Sequence, residues 1–125
     1  TTDEAEIRRI GALVDAVGAL PIDCPVSGGC HRADTGNISI FAGCKREAFE
    51  LALPILTTMG RRVLHTGDLG TASKLKVMTN YLATVNLTSI AEALTTMKAL
   101  GMDMNVTNEA IKASSGNSFV HETES

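Results

Sequence analysis

The sequence contains no tryptophan, and only 3% of its 125 residues are aromatic. Proteins that bind single-stranded nucleic acids use aromatic rings as stacking platforms, so the composition argues against this class. Lysine and arginine form no block and the net charge is −3, which excludes a broad basic nucleic-acid footprint. No apolar run approaches the roughly 18–20 residues that a membrane-spanning helix needs. We therefore expect a globular protein with no nucleic-acid or membrane partner.

Cysteine is also scarce, and its pattern carries no metal signature. Cys24, Cys30 and Cys44 form no CxxC pair, and the three histidines do not supply the ligand spacing of a zinc site. Free thiols in a reducing compartment are the simplest interpretation, and they favour a cytoplasmic protein without a metal. The chain begins at Thr1 without a methionine or a signal-peptide pattern, so we expect a piece of a longer protein.

The apolar pattern predicts an α/β first half and a helical second half. It predicts helices over 3–17, 45–59, 71–100 and 107–114, and short strands over 20–26, 38–43 and 62–65. Pro54 falls inside the second helix and is expected to kink or split it. The change from strands to helices only falls near Gly67. We therefore predict two domains, 1–67 and 68–125.

The longest predicted helix, over 71–100, has an unusual shortage of charge. It would span about 45 Å, longer than a small domain, and it carries no charged residue between Lys76 and Glu92. Such a helix is expected to be buried over most of its circumference. We therefore expect it to cross between domains or to run through a subunit interface.

The first segment that could carry chemistry is Asp23-Cys24-Pro25-Val26-Ser27-Gly28-Gly29. The two glycines let backbone N–H groups approach a ligand closely, because no β-carbon intervenes. Ser27 adds a hydroxyl donor, and a loop of this kind at the end of a strand suits an anion such as a carboxylate. From the pattern alone, a plain Gly-Gly turn is the more frequent alternative.

The second segment opens the long helix, from Gly70 to Asn80. Lys76 and Asn80 are four residues apart and share one helix face, whereas Lys74 points elsewhere. A lysine at the start of a mostly buried helix suits proton transfer, because burial depresses its pKa. By spacing alone, two solvated lysines at a helix end remain the alternative.

These two segments resemble the two motifs of the β-hydroxyacid dehydrogenase family, which includes the 3-hydroxyisobutyrate dehydrogenases. The family motif D-A-P-V-S-G-G is present with Cys24 as its one change. The family's G-x-G-x-x-x-K-x-x-N-N is matched at Gly70, Lys76 and Asn80, while Ala72 replaces its second glycine and Thr79 replaces its first asparagine.

The resemblance implies the C-terminal part of a Rossmann-type nucleotide-binding domain, followed by the start of an all-helical domain with a long interdomain helix. It implies an oxidoreductase that transfers a hydride between NAD or NADP and a small 3-hydroxy acid or its semialdehyde. Lys76 would be the general acid/base, and Asn80 would bind substrate and help to place Lys76. Ser27, Gly28 and Gly29 would hold the substrate carboxylate. A homo-oligomer formed through the helical domain is also expected.

The family's dinucleotide fingerprint, G-x-G-x-x-G, does not occur in this sequence. In the family it lies on the first strand, so we expect it upstream of Thr1 and expect this chain alone to be inactive and to bind dinucleotides poorly. Thr2 is the one candidate for a cofactor contact, by its match to a Ser or Thr near the nicotinamide.

Two alternative functions stay open from the sequence. A 6-phosphogluconate dehydrogenase-like enzyme ranks lower, because those enzymes carry His-Asn-Gly where this chain has Thr79-Asn80-Tyr81. A non-catalytic helical module for oligomerisation is the other. Among the remaining residues near the motifs, His65 and Cys24 are interpreted as structural. His31 and Arg32 either line a substrate pocket or belong to a solvated loop, which we favour.

Overall fold

The structure, a computed structural model, describes residues 3–124. Its elements are α1 (Glu4–Ala16), β1 (Val26–Ser27), α2 (Gly29–Asp34), β2 (Ile38–Gly43), α3 (Arg46–Met59), β3 (Gly60–Gly67), α4 (Thr71–Ala99), α5 (Met104–Lys112) and α6 (Phe119–Glu124). They form two compact units, the first ending at Met78 and the second beginning at Thr79. The predicted division of the chain at residue 67 stays a prediction.

The first unit contains a three-stranded sheet in the order β1-β2-β3. β1 pairs with β2 in the antiparallel direction, with Ser27 opposite Ser39, and an isolated bridge joins Asp23 to Gly43. β2 and β3 are parallel and are connected by α3, which covers one face. The core consists of buried residues of β2 and α3 and the turn between them: Ile40, Ala42, Cys44, Ala48, Phe49 and Leu56. The core of the first unit is therefore formed by the apolar residues of β2 and α3, two elements that the apolar pattern predicts.

Three predictions about the first unit need correction. The strand predicted over 20–26 is reduced to the bridge at Asp23 and the two residues of β1, because Pro25 interrupts the ladder. The segment after Gly29, interpreted as a loop, contains the short helix α2. Pro54 does not split α3, which runs unbroken with Pro54 on its exposed side.

The helices of the second unit begin and end differently from the prediction. α5 begins at Met104 rather than near Thr107, because Asp103 caps it: the Asp103 carboxylate accepts hydrogen bonds from the backbone N–H groups of Asn105 and Val106. α6 was not predicted, because its six residues are too short to show a helical period.

The helix α4 has 29 residues, close to its predicted bounds. Its first turn is buried at Ala72 and Ser73, but most of its later residues are exposed within this chain. Within this chain α4 is therefore exposed over most of its length, and its burial against another domain or subunit stays a prediction. The large apolar residues it exposes are Leu75, Val77, Met78, Tyr81, Leu82, Val85 and Leu87. Over residues 3–124, no helix is both long and apolar enough to cross a membrane.

Candidate active site

Asp23, the first residue of the D-C-P-V-S-G-G segment, is bound to the first turn of α4. Its Oδ2 accepts a hydrogen bond from the backbone N–H of Ser73 at 2.7 Å, and its Oδ1 accepts one from the Ser73 hydroxyl at 2.8 Å. Both residues are buried, with exposed fractions of 5% and 4%. A carboxylate that accepts from an N–H group at the start of a helix also meets the positive end of the helix dipole. The two predicted motifs are therefore joined by a buried contact, which we call the Asp23–Ser73 anchor.

Gly43 makes this anchor possible by its lack of a side chain. Its backbone N–H donates to the Asp23 carbonyl and its carbonyl accepts from the Asp23 N–H, so the two residues pair fully. A β-carbon at Gly43 would lie 3.0 Å from both the backbone nitrogen of Ala72 and the carbonyl oxygen of Asp68. The start of α4 therefore approaches the end of β2 so closely that a β-carbon at Gly43 would require the backbone of α4 to shift by a few tenths of an ångström.

The predicted carboxylate cradle occupies the turn between β1 and α2. Ser27 is half-buried at the end of β1, Gly28 is half-buried, and Gly29 is exposed at the first position of α2. Gly28 has a φ of +132° and Gly29 a φ of +66°, so both occupy the backbone region that favours glycine. The glycines are thus required by the turn itself, and their role toward a ligand stays a prediction.

Arg32 lies across this turn. A β-carbon on Gly28 would lie 2.8 Å from the Cδ atom of Arg32, so the aliphatic part of the arginine covers this face of the turn. Arg32 is half-buried, whereas His31 beside it is exposed. The favoured interpretation of His31 and Arg32 as part of a solvated loop is wrong, because both residues belong to the helix α2.

The two lysines at the start of α4 have different surroundings. Lys74 is exposed and its Nζ lies 3.3 Å from Oε1 of Glu4 on α1. Lys76 is half-buried, and Asn80 is exposed at the beginning of the second unit. Lys74 therefore has a structural partner of its own, which agrees with its exclusion from the candidate pair. Thr2, the cofactor candidate, lies outside the described residues.

Sequence reasoning assigned no role to either Asp23 or Ser73. The signal that the sequence offered was the aspartate that opens the first motif. Nothing in the spacing indicates that its partner lies fifty residues further along the chain. The contact depends on the tertiary fold.

Two family models match the chain. Residues 1–67 match the NAD binding domain of 6-phosphogluconate dehydrogenase, and residues 70–125 match the NAD-binding domain of NADP-dependent 3-hydroxyisobutyrate dehydrogenase. The chain belongs to the β-hydroxyacid dehydrogenase family. The resemblance seen in the two motifs is confirmed.

Curated relatives agree with this assignment. The chain is 36% identical over 112 residues to 3-hydroxyisobutyrate dehydrogenase of Pseudomonas aeruginosa, covering 90% of this chain and 38% of that enzyme. It is 31% identical over 123 residues to human mitochondrial 3-hydroxyisobutyrate dehydrogenase, covering 98% of this chain and 37% of the human protein. The chain thus spans less than two fifths of the length of these relatives.

Solved structures share the fold. A Mycobacterium tuberculosis 3-hydroxyisobutyrate dehydrogenase with L-serine superposes with a TM-score of 0.88 at 28% identity, covering 97% of this chain and 42% of that one. A second structure, Psf3 in complex with NADP+ and 2-OPP, gives a TM-score of 0.91 at 26% identity, covering 98% and 43%. The predicted fold class, a Rossmann C-terminal part followed by helices, is confirmed.

Within this family fold, His65 and Cys24 have contacts of a structural kind. The Nε2 atom of His65 lies 2.8 Å from the carbonyl oxygen of Cys44, and its ring stacks on Phe49 with centroids 4.7 Å apart. Burial raises the pKa of the Cys24 thiol, and the nearby Cys44 and Asp23 add to the effect. Burial likewise raises the pKa of Cys44. In the described ranges, no three His, Cys, Asp or Glu residues are grouped as metal ligands would be.

Proposed function

We propose that this chain is part of an NAD- or NADP-dependent oxidoreductase that interconverts a small 3-hydroxy acid and its semialdehyde. The observation that carries the proposal is the Asp23–Ser73 anchor, because it ties the candidate carboxylate cradle to the helix that holds the candidate acid/base. The relatives named as 3-hydroxyisobutyrate, 2-(hydroxymethyl)glutarate and L-serine dehydrogenases support the substrate class.

The anchor limits how far apart the candidate groups lie. Ser27 follows Asp23 by four residues, which corresponds to about 13 Å of extended chain. Lys76 follows Ser73 by three residues, which corresponds to a rise of about 4.5 Å along α4. Both segments start from the same buried contact and both belong to the first unit. These lengths set an upper limit on the separation of Ser27 and Lys76, and we propose that a substrate held at Ser27 lies between the two residues.

These groups suit the chemistry of a hydroxy acid. A bound nicotinamide supplies or accepts the hydride. In the direction of reduction, the Lys76 ammonium stabilises the developing alkoxide and donates a proton to that oxygen. In the direction of oxidation, the neutral amine accepts the hydroxyl proton. The Ser27 hydroxyl and the N–H groups of Gly28 and Gly29 hold the carboxylate, and the Asn80 amide binds substrate and orients Lys76.

The chain itself carries no glycine fingerprint for the pyrophosphate of a dinucleotide. We therefore assign the dinucleotide to no residue in the range 3–124, and Thr2 stays a predicted contact. A titration of the 125-residue chain with NADH is expected to give no binding tighter than about millimolar. Micromolar binding would contradict this expectation.

The 6-phosphogluconate dehydrogenase-like alternative is supported by the family model that matches residues 1–67. The second model, which matches residues 70–125, and the Thr79-Asn80-Tyr81 triplet favour the hydroxyisobutyrate type. Assays of the complete enzyme with 3-hydroxyisobutyrate, L-serine and 6-phosphogluconate distinguish the two. Turnover of 6-phosphogluconate alone would replace our proposal by the alternative.

We also propose that the complete protein is a homo-oligomer assembled through its helical part. The apolar residues exposed along α4, among them Met78, Tyr81 and Leu82, support this proposal. Light scattering coupled to size exclusion tests it, and a monomer over the micromolar range contradicts it. If the protein assembles but shows no turnover, the non-catalytic oligomerisation module becomes the better description.

The proposed role of Lys76 is tested by Lys76→Ala in the complete enzyme. General acid–base catalysis contributes about 10²–10⁴-fold, so kcat is expected to fall by that factor while the Kd for the nicotinamide cofactor stays unchanged. Lys74→Ala is the matched control, because Lys74 lies on the same turn but pairs with Glu4. Equal turnover in the wild type and the Lys76→Ala variant would remove Lys76 from the mechanism.

A further inference from the structure

Ser39 of β2 lies beside Ser27, the serine of the candidate carboxylate cradle, because the two residues are partners in the register of β1 with β2. Asp23 and Gly43, at the other end of this ladder, exchange both of their backbone hydrogen bonds. Every second pair of an antiparallel ladder is of the same kind, so the Cα atoms of Ser27 and Ser39 are about 5.5 Å apart. The side chains of such partners are neighbours on one face of the sheet.

The face that carries the two serines is the face on which α4 begins. Ala42 belongs to the core that α3 covers, whereas a β-carbon on Gly43, the next residue, would meet the start of α4. Ser39 shares the face of Gly43, because side chains along a strand alternate between the two faces. Ser27 shares the face of Asp23 for the same reason, and the carboxylate of Asp23 is bound by α4. Both serines therefore lie on the side of the sheet where the helix of the candidate acid/base starts.

The hydroxyls of this serine pair are available to a ligand. Ser27 and Ser39 are both half-buried, and among residues 3–124 no side-chain hydrogen bond engages either of them. By contrast, the hydroxyls of Ser73, Ser114 and Ser118 each have a hydrogen-bond partner within the chain. A serine pair that only supports a sheet does so through a hydrogen bond between its hydroxyls, and that bond is not formed here.

We propose that Ser39 is a further substrate-binding residue, which shares the substrate carboxylate with Ser27. This inference rests on the proposed function, because it takes Ser27 as the residue that holds the carboxylate. A carboxylate has two acceptor oxygens, and each hydroxyl has one proton to donate. A hydroxyl binds a carboxylate oxygen at about 2.6 Å, so two serines with Cα atoms about 5.5 Å apart reach the two oxygens of one carboxylate. Ser39 thereby adds a donor that favours a free acid over its ester.

The kinetic test uses the complete enzyme with 3-hydroxyisobutyrate. Ser39→Ala removes a hydrogen bond that is made equally in the ground state and the transition state, so KM is expected to rise by about tenfold while kcat stays nearly unchanged. Ser39→Thr keeps a hydroxyl and is expected to restore most of the affinity. Ser115→Ala, at an exposed serine of the second unit, is the matched control and is expected to leave KM unchanged. An unchanged KM in Ser39→Ala overturns the inference and leaves the proposed function standing.

A binding test that needs no turnover uses the 125-residue chain. Nuclear magnetic resonance follows the backbone N–H signals of Ser27 and Ser39 during titration with 3-hydroxyisobutyrate and with its methyl ester. Both signals are expected to shift with one common Kd for the acid and to stay in place with the ester, and Ser39→Ala is expected to raise that Kd. No shift at Ser39, or an unchanged Kd in the variant, overturns the inference. Common shifts together with a complete enzyme that turns over no hydroxy acid would instead contradict the proposed function and keep the carboxylate site.

Discussion

The two ends of the Asp23–Gly29 segment differ sharply although they lie only six positions apart in the sequence. Asp23 is buried and its carboxylate accepts two hydrogen bonds from Ser73, while Gly29 is exposed and has a positive φ. The first end holds the segment against α4, and the second leaves backbone groups accessible. One short motif thus combines a buried anchor with an accessible turn. A binding site requires that its groups be held in a fixed geometry, and the anchor restrains the turn in this way.

The largest effect on stability is expected from breaking the anchor. Asp23→Ala leaves the N–H and the hydroxyl of Ser73 buried without their acceptor, so the free energy of unfolding is expected to fall by about 3 kcal/mol. Ser73→Ala removes only the hydroxyl and is expected to cost about 1 kcal/mol. Urea denaturation of the chain measures both. Asp34→Ala, an exposed aspartate of α2, is the control, and an equal loss there would contradict the anchor.

The turn at the other end is expected to respond to its backbone conformation. Gly28→Ala combines a positive φ with a β-carbon 2.8 Å from the Cδ atom of Arg32, whereas Gly29→Ala meets no atom within 4 Å. We expect Gly28→Ala to lower the free energy of unfolding by about 2 kcal/mol and Gly29→Ala by about 1 kcal/mol. Equal losses in urea denaturation would mean that the contact with Arg32 has no energetic weight.

The thiols of Cys24, inside the segment, and Cys30, directly after it, are expected to show the same contrast in their reactivity. Cys24 is half-buried beside the anchor and Cys30 is exposed beyond the turn. Because burial raises the pKa of Cys24 and of Cys44, both carry little thiolate at neutral pH. Cys30 is expected to react first with a disulfide reagent, and Cys24 and Cys44 are expected to react more slowly. Mass spectrometry of partially labelled chain identifies the order, and early labelling of Cys24 would show that the anchor end is open.

The smallest effect is expected at Glu4, the carboxylate that pairs with Arg8 and with Lys74. The hydrogen bond from Arg8 holds the pKa of Glu4 below its usual value of 4.5, and Lys74 acts in the same direction. A lowered carboxyl pKa contributes stability above that usual value, and the contribution is lost as the pH falls below it. Glu4→Gln is therefore expected to lower Tm slightly at pH 7 and not at about pH 3. A difference that persists at the acidic pH would assign the effect to packing instead.

The regular elements were predictable wherever an apolar period extends over several turns or alternates along a strand. α1, α3 and α4 lie within about a residue of their predicted bounds, and β2 coincides with its prediction. α2 and α6, with six residues each, are too short for a period to appear. The start of α5 was missed because a single side chain, that of Asp103, determines it. Burial of α4 was predicted from its lack of charge, but a pattern of residues does not specify what covers a surface.

The candidate site divides in the same way. Two motifs that can be read in the sequence established the family and nominated Ser27, Gly28, Gly29, Lys76 and Asn80. The tertiary structure alone decided that Asp23 meets Ser73 and that Lys74 is occupied by Glu4. The physical reason is that propensity and periodicity act between neighbours along the chain, whereas a hydrogen bond across fifty residues or a bulge in a ladder exists only after the strands and helices have packed.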